Sequence, residues 1–391
     1  MDLNNPEYIK ELQKPFSDRL RDKLYEAYKN ARKNGKRKTH DEHRFEINQF
    51  ENLAILQKDL ENRTYVPSRS TAHIIYNPVI REIFAATFRD RIVHHLIFST
   101  VYDWWDRRFI YDSYSCRIGK GTLFGVTRLD HHIRAVSQNY KKRAWVYKFD
   151  IKGYFMSLPR KELLKMALAG LDKQFKGHQN TEEYRLMRFL WQQIIMDDPV
   201  EGVKKKGKLS DWNKLPKSKS LFGQPAGKGI VIGNLTSQLL SNMYLDSLDK
   251  FIMYELGYKH YGRYVDDFYI VVDDSRVEQL KRDVKVIRNF LKRKGLTLHP
   301  KKCTLQDSKN GVDFLGAVVY HNHIVPGRRI KKNLQKACLD VKKGRKDGDS
   351  LVSYLGLCQH INSRKMLKEV FDYTDFDLDY WSSKLHYKNK K

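Results

Sequence analysis

The sequence predicts an α+β protein, a sheet-bearing centre with helical additions on either side. Three observations lead there: helical spacing dominates both ends of the chain, strand-like runs gather between them, and two of these runs lie close enough to their successors to pair as hairpins. A hydrophobic content of 41% is enough for a real core, and 391 residues suffice for two or three packed units at about 100–200 residues each.

Residues 1–62 carry the first helical pattern. Leu20, Leu24, Ala27 and Tyr28 recur amid charge, and Phe50, Leu53, Leu56 and Leu60 repeat the spacing. Between them the basic stretch from Lys29 to Lys38 reads equally as a solvated loop or an RNA contact. Residues 63–86 are short extended pieces broken at Pro67 and Pro78, with Ile80 to Phe84 alternating. A helix follows from Phe88 to about Trp105, its inner face formed by Ile92, Val93, Leu96 and Ile97. Strand-like segments are expected at Tyr114–Arg117 and Ala144–Phe149, then a helix from Arg160 to about Leu171. Residues 197–228 form a Lys-, Gly- and Pro-rich insertion with little periodicity. Ser237–Ile252 is an amphipathic helix with Leu240, Tyr244, Leu248 and Phe251 in line. It precedes a hairpin at 259–272, a helix at 275–294, a short hairpin near 312–325 and a helical C-terminal stretch.

Charge supplies the first functional clue. With 74 basic against 46 acidic residues the formal net charge is +28, a self-repulsion that points to a polyanionic partner more than to a merely soluble surface. Such binding releases counterions and weakens with salt. The four cysteines, Cys116, Cys303, Cys338 and Cys358, form no CxxC pair, and no histidine spacing completes a zinc site, so free thiols in a reducing compartment are expected. The N-terminus has no apolar h-region and no run is long enough to span a bilayer. The expectation is a soluble, cytoplasmic protein with no membrane partner.

The sharpest local feature is Tyr264-Val265-Asp266-Asp267, followed by the apolar run Phe268-Tyr269-Ile270-Val271-Val272. Two adjacent carboxylates at the mouth of a buried strand are costly unless a cation neutralises them, and hard oxygen ligands suit Mg²⁺. A hairpin turn, where Asp is favoured anyway, is the bland alternative. A second acid ends another strand, Trp145-Val146-Tyr147-Lys148-Phe149-Asp150. Alone Asp150 reads as a turn or cap residue. Together the two sites make the pattern that two-metal phosphoryl transfer requires, carboxylates from neighbouring strands holding ions about 4 Å apart. Asp273-Asp274 ends the same strand as the first pair but precedes Ser275 and a helix, so capping explains it, and Asp197-Asp198 reads as a loop.

In this order, from about Pro67 to about Leu367, these pieces resemble reverse transcriptases. The Asp150 strand is similar to the family's motif A, Gly229–Gln238 to motif B, and Tyr264–Asp267 to the YxDD motif C. The resemblance implies a right-hand polymerase fold: an N-terminal helical extension (1–62), fingers (63–143), a palm of antiparallel sheet and helices (144–325) carrying the basic insertion, and a helical thumb with its tail (326–391). It implies RNA-directed DNA polymerisation with two Mg²⁺ ions, for which Mn²⁺ can substitute, held at Asp150, Ile151, Asp266 and Asp267. The implied partners are a template RNA, a primer with its growing cDNA, and deoxynucleoside triphosphates.

By the same resemblance Phe155, five residues past Asp150, occupies the steric-gate position that rejects a ribose 2′-hydroxyl, although singly it reads as a core aromatic beside Tyr154 and Met156. Arg81 resembles the fingers residue that grips the triphosphate, its guanidinium fork suited to phosphate oxygens, and Arg117 matches a second fingers motif. Lys302 matches the motif D lysine that protonates the pyrophosphate. Ile232, Gly233 and Gln238 fall at nucleotide-facing positions of motif B, and Phe314-Leu315-Gly316 matches the primer grip, where glycine permits close backbone approach. Taken singly, each Arg or Lys reads as a surface charge.

Within the family the chain is most similar to the reverse transcriptases of diversity-generating retroelements. The reason is Ile232-Gly233-Asn234-Leu235-Thr236-Ser237-Gln238, apolar first and glutamine last, where most members carry Gln-Gly-x-x-x-Ser-Pro. Arg89–His95, Gly119–Thr122, Ser210-Asp211-Trp212, Leu215-Pro216, Tyr354-Leu355-Gly356 and Asn362-Ser363 are further branch-like stretches, whereas Lys228–Val231 lacks the proline often seen before the motif. This branch implies error-prone copying concentrated at adenines and a small basic accessory protein as partner. The rivals are a retron, group II intron or phage-defence enzyme, and, from another class, a non-catalytic RNA-binding relic of a polymerase. The first set is weakened by the form of motif B and by the lack of an endonuclease-like zinc cluster, the second by three intact aspartates.

Overall fold

The structure is a computed structural model that describes residues 13–33, 39–76, 79–345, 348–377 and 380–381. The end of the basic stretch (34–38), Pro78 and the last ten residues of the C-terminal tail lie outside the described residues. The described strands are, in chain order, β1 (Thr71–Ile75), β2 (Arg81–Ala85), β3 (Trp145–Asp150), β4 (Lys204–Lys205), β5 (Tyr261–Tyr264), β6 (Asp267–Val272), β7 (Thr304–Asp307), β8 (Val312–Phe314), β9 (Ala317–Val319) and β10 (Ile324–Pro326). The chain divides into two compact units.

One unit comprises Met1–Ile110, Ile151–Asp249 and Phe290–Thr297. Helices Phe16–Ala31 and Gln49–Glu61 form where helical spacing predicts them, with a short helix His40–Ile47 between them, and the first buries Leu20, Leu24, Ala27 and Tyr28. Helix Phe88–Asp106 starts at Thr87, whose hydroxyl accepts from the Asp90 N–H. Strands β1 and β2 pair antiparallel, and β4 from the insertion adds to β1 in parallel. The insertion is therefore less irregular than its composition suggests, carrying also a short helix at Leu209–Asn213 and two 3₁₀ turns. Helix Arg160–Gln174 packs on Glu182–Met196, a helix the sequence-based expectation omitted.

The other unit comprises Tyr111–Asp150, Lys250–Asn289 and Leu298–Lys391. Its main sheet has the order β5-β6-β3-β7 with every pair antiparallel. Side chains alternate across this sheet. One face, with Val146, Tyr269 and Val271, packs against Val126, Leu129 and Ile133 of a second unanticipated helix, Thr122–Val136, and against Val312, Phe314, Ala317 and Val319 of the small sheet β10-β9-β8. The expected strand at Tyr114–Arg117 does not form. Only Ser113 bridges, to Arg263, and Cys116 turns the chain with φ 54°, which no strand accommodates. Helices Arg328–Lys342, Asp349–Cys358 and Arg364–Thr374 share a separate cluster built on Leu334, Leu351, Leu355 and Phe371. No helix among the described residues is long and apolar enough to cross a membrane.

Candidate active site

The register of β3 on β6 fixes the centre. Asp150 stands directly opposite Asp267, and Phe149 opposite Phe268 with rings stacked at 4.6 Å. Directly opposed residues of an antiparallel pair share a face, so the two carboxylates point to the same side of the sheet. Asp266 sits in the two-residue connection between β5 and β6. Its neighbour Val265 has φ 55°, a conformation usually given to Gly or Asn and unfavourable for a β-branched side chain. The sequence thus holds a strained turn at the point where its acids are presented.

Lys302 completes this group, its Nζ donating to Asp150 Oδ2 at 2.8 Å, and that hydrogen bond raises the lysine's pKa. Asp267 is pushed up to about 7, first by burial, then by the charges of Asp266 and Asp150, while Lys302 and Lys148 act in the opposite sense. Three carboxylates gathered beside Lys302 offer hard oxygen ligands of the kind that a divalent cation takes. The structure therefore brings together Asp150, Asp266, Asp267 and Lys302, and Asp273 caps the turn after β6 by accepting from the Ser275 N–H.

The turn is held from behind by Arg263, which sequence reasoning missed. Its side chain is completely buried, Nη1 donates to the Val265 carbonyl at 3.2 Å and Nη2 to Ser113 Oγ at 3.3 Å. The backbone around it is tied twice more, Arg263 N–H to Asp112 O and Tyr114 N–H to Arg263 O, both at 2.9 Å. Asp112 in turn receives Arg128 through two hydrogen bonds, at 2.6 and 3.0 Å. Burial alone would push the Asp112 carboxyl up, but hydrogen bonds from His132 and Arg128 outweigh it and hold the group well below the usual carboxylate range. Tyr114 and Tyr269 close the network, their hydroxyls 2.8 Å apart and His132 Nδ1 3.1 Å from Tyr269. The signal available in the sequence was a charged residue inside an otherwise apolar strand.

In the same unit Arg117 is buried and donates to the Ser113 carbonyl at 3.1 Å. Phe314 lies in the core, Leu315 has φ 52° and Gly316 φ 90°. Gly316 accepts the Gly327 N–H at 2.8 Å, and a Cβ on Gly327 would stand 2.7 Å from that carbonyl, so the primer-grip candidate rests on a close backbone approach.

The other nucleotide candidates belong to the first unit. Arg81 opens β2 and is exposed. Tyr154 and Met156 are buried but Phe155 between them is only half-buried, unlike a core aromatic. Ile232 is half-buried, and its carbonyl accepts the Phe84 N–H at 3.0 Å. Gly233 has φ 131°, and a Cβ there would meet the Phe84 carbonyl at 2.8 Å. Gln238 lies in the first turn of helix Leu235–Lys250. His94 is buried with Nδ1 2.9 Å from Thr236 Oγ1, and burial lowers it to about 3, a neutral packing role. A carboxylate–histidine group, Glu42, His43 and Glu46, also has ligand-like spacing, but Arg32 already ion-pairs with both glutamates.

A family model described as reverse transcriptase (RNA-dependent DNA polymerase) matches residues 79–319. Among solved structures, the chain is similar to apo telomerase from Candida tropicalis truncated from its C-terminal domain, with 14% identity, TM-score 0.46, and coverage of 66% of this chain and 54% of that one. For apo telomerase from the same organism the values are 12%, 0.47, 78% and 58%. Telomerase from Candida albicans in complex with a TWJ fragment of telomeric RNA gives 12%, 0.45, 80% and 57%. The chain thus spans little more than half the length of these proteins. No curated protein matches it at a significant level.

Proposed function

Because this chain belongs to the reverse transcriptase (RNA-dependent DNA polymerase) family, we propose that it extends a primer 3′ end with deoxynucleotides on an RNA template by two-metal nucleotidyl transfer. The fold is α+β with a main sheet that is antiparallel throughout, of the right-hand polymerase class. We assign the fingers to 63–143, the palm to 144–325 and the thumb to 326–391. The observation that carries the reading is the cross-strand pair Asp150–Asp267, with Asp266 one residue away in a strained turn.

Asp150, Asp266 and Asp267 hold the divalent ions, Mg²⁺ with Mn²⁺ as substitute. Ile151, whose side chain is buried, serves through its main chain. When bound, such ions activate the primer hydroxyl and neutralise the leaving pyrophosphate. Lys302, which donates to Asp150, is assigned to the pyrophosphate, to which its ammonium would supply a proton. Arg81 and Arg117 are assigned to the triphosphate, Phe155 to exclusion of the 2′-hydroxyl, Ile232, Gly233 and Gln238 to the nascent pair, and Phe314–Gly316 to the primer end. The net charge of +28 supports a polyanionic substrate. Primer extension on poly(A) template with Mg²⁺ or Mn²⁺ tests the reading. An Asp266→Ala/Asp267→Ala protein as active as wild type would sink it.

The finer reading is a diversity-generating retroelement enzyme, error-prone at adenines and working with a small basic accessory protein. Its support is Ile232 where glutamine is usual: an apolar side chain offers no hydrogen bond beside the nascent pair, which weakens geometric discrimination. An Ile232→Gln protein is expected to misincorporate at template adenines about tenfold less often, read by sequencing cDNA from a defined template. An unchanged adenine error rate would refute the role given to Ile232.

A further inference from the structure

Building on the assignment of Arg81, Phe155 and Ile232 to the incoming nucleotide, we propose that the basic insertion 197–228 is a buttress that sets how strictly that nucleotide is selected. Trp212, Ser220 and Leu221 are its positioning residues. All three assigned residues lie on segments that the insertion ties down.

The first tie is to β2, which begins with Arg81. Its next residue, Glu82, is almost completely buried, and its carboxylate accepts from Ser220 Oγ at 2.8 Å and from the Leu221 N–H. A buried carboxylate with two donors from one segment fixes that segment's position. The second tie is apolar. Leu221 is buried with Ala72, Phe84, Met156 and Val231, and Trp212, Phe222 and Ile232 pack against this group. Phe84 stacks on Phe222 at 5.9 Å, and Trp212 meets Phe222 edge-on at 5.3 Å. The third runs to the segment of Phe155: Leu221 packs on Met156, the next residue, and Gly227 O accepts the Arg160 N–H at 2.9 Å. Directly after the insertion the same edge continues, Gly229 N–H donating to Leu158 O at 2.8 Å and Ile230 N–H to Phe155 O at 3.0 Å. Gly229 is needed there, because a Cβ would lie 2.4 Å from Leu221.

The insertion thus touches the strand of Arg81, the packing beneath Ile232 and the segment of Phe155. A pocket rejects a mispair only as firmly as its walls resist displacement, so removing support from behind costs discrimination more than turnover.

The test is single-nucleotide incorporation on a defined RNA template by wild type and the Trp212→Ala, Trp212→Phe and Ser220→Ala proteins, with melting temperatures alongside. Trp212→Ala is expected to raise the KM for the correct nucleotide about 3–10-fold and to narrow the correct-to-incorrect ratio of kcat/KM about tenfold at all four templating bases, with kcat changed less than about twofold. Trp212→Phe should recover most of that selectivity, since it keeps an aromatic ring against Phe222 and the indole N–H it gives up has no acceptor; the remainder reflects the smaller ring. Ser220→Ala, outside the apolar cluster, should shift selectivity in the same direction by less. Folded Trp212→Ala and Ser220→Ala proteins with wild-type ratios would overturn the proposal, and Ser220→Ala alone decides if Trp212→Ala does not fold. A wild-type protein that extends no primer strikes the polymerase reading instead.

Discussion

An Asp267→Asn protein is expected to melt above wild type in metal-free buffer at pH 8, yet to extend primers at least about a thousandfold more slowly. The carboxyl of Asp267 is raised to about 7 by burial and by its acidic neighbours Asp266 and Asp150, whereas in an unfolded chain it titrates near 4. The folded state therefore holds the proton more tightly than the unfolded state. Stability associated with the protonated group is present below about pH 4 and is lost as pH rises through about 7. The amide carries no such charge, so its advantage, on the order of 2 kcal/mol, should be largest above pH 7 and vanish near pH 4. Millimolar Mg²⁺ should stabilise the wild type but not the variant. Thermal melts across pH with and without Mg²⁺ check this. Equal melting of the two proteins at pH 8 without metal would mean the acids are not in electrostatic conflict.

The second large effect is expected at Arg263. Replacing it by Leu removes both donors that hold Val265 and Ser113, leaving a part-buried carbonyl and a buried hydroxyl without those partners at a cost of about 2–4 kcal/mol. The turn that it released relaxes from φ 55°, and the acids move with it. A displacement of about 1 Å at a reacting centre costs on the order of 100-fold in rate, so extension should fall by that much at temperatures where the variant is still folded. Arg263→Lys, which keeps one charge but not the fork, should lie between. Because the loss reflects misplaced metal ligands, the Mg²⁺ concentration for half-maximal rate should rise as well. Wild-type kinetics in a folded Arg263→Leu protein would show that the turn holds its shape unaided.

The strands that carry Asp150 and Asp267 were legible because each sets a largely apolar run beside its aspartate. Burial on both faces imposes that pattern on β6, whose residues after Asp267 are all buried. Arg263 was not legible, since its partners Ser113 and Asp112 lie far away in the chain. Nor was Gly262, whose missing Cβ makes room for the Tyr114 hydroxyl. Helix Thr122–Val136 escaped because its buried stripe includes Gly125 and His132, which dilute the apolar period; both are there for Tyr114 and Tyr269. The insertion looked structureless for a related reason. Its anchor is an ion-bearing strand residue, Glu82, and its apolar contacts are scattered singly. Lys302 was found by resemblance, but its pairing with Asp150 needed coordinates.

The placement of β3 between β6 and β7 has a consequence for biosynthesis. Both neighbours of β3 are translated after it, so a nascent chain emerging from the ribosome exposes the Trp145–Asp150 edge until the segment through Asp307 has followed. Closing that ladder is a late, long-range event. Asp150 meets Asp267 only once β6 has paired with β3, so the proposed site cannot assemble before that strand is made.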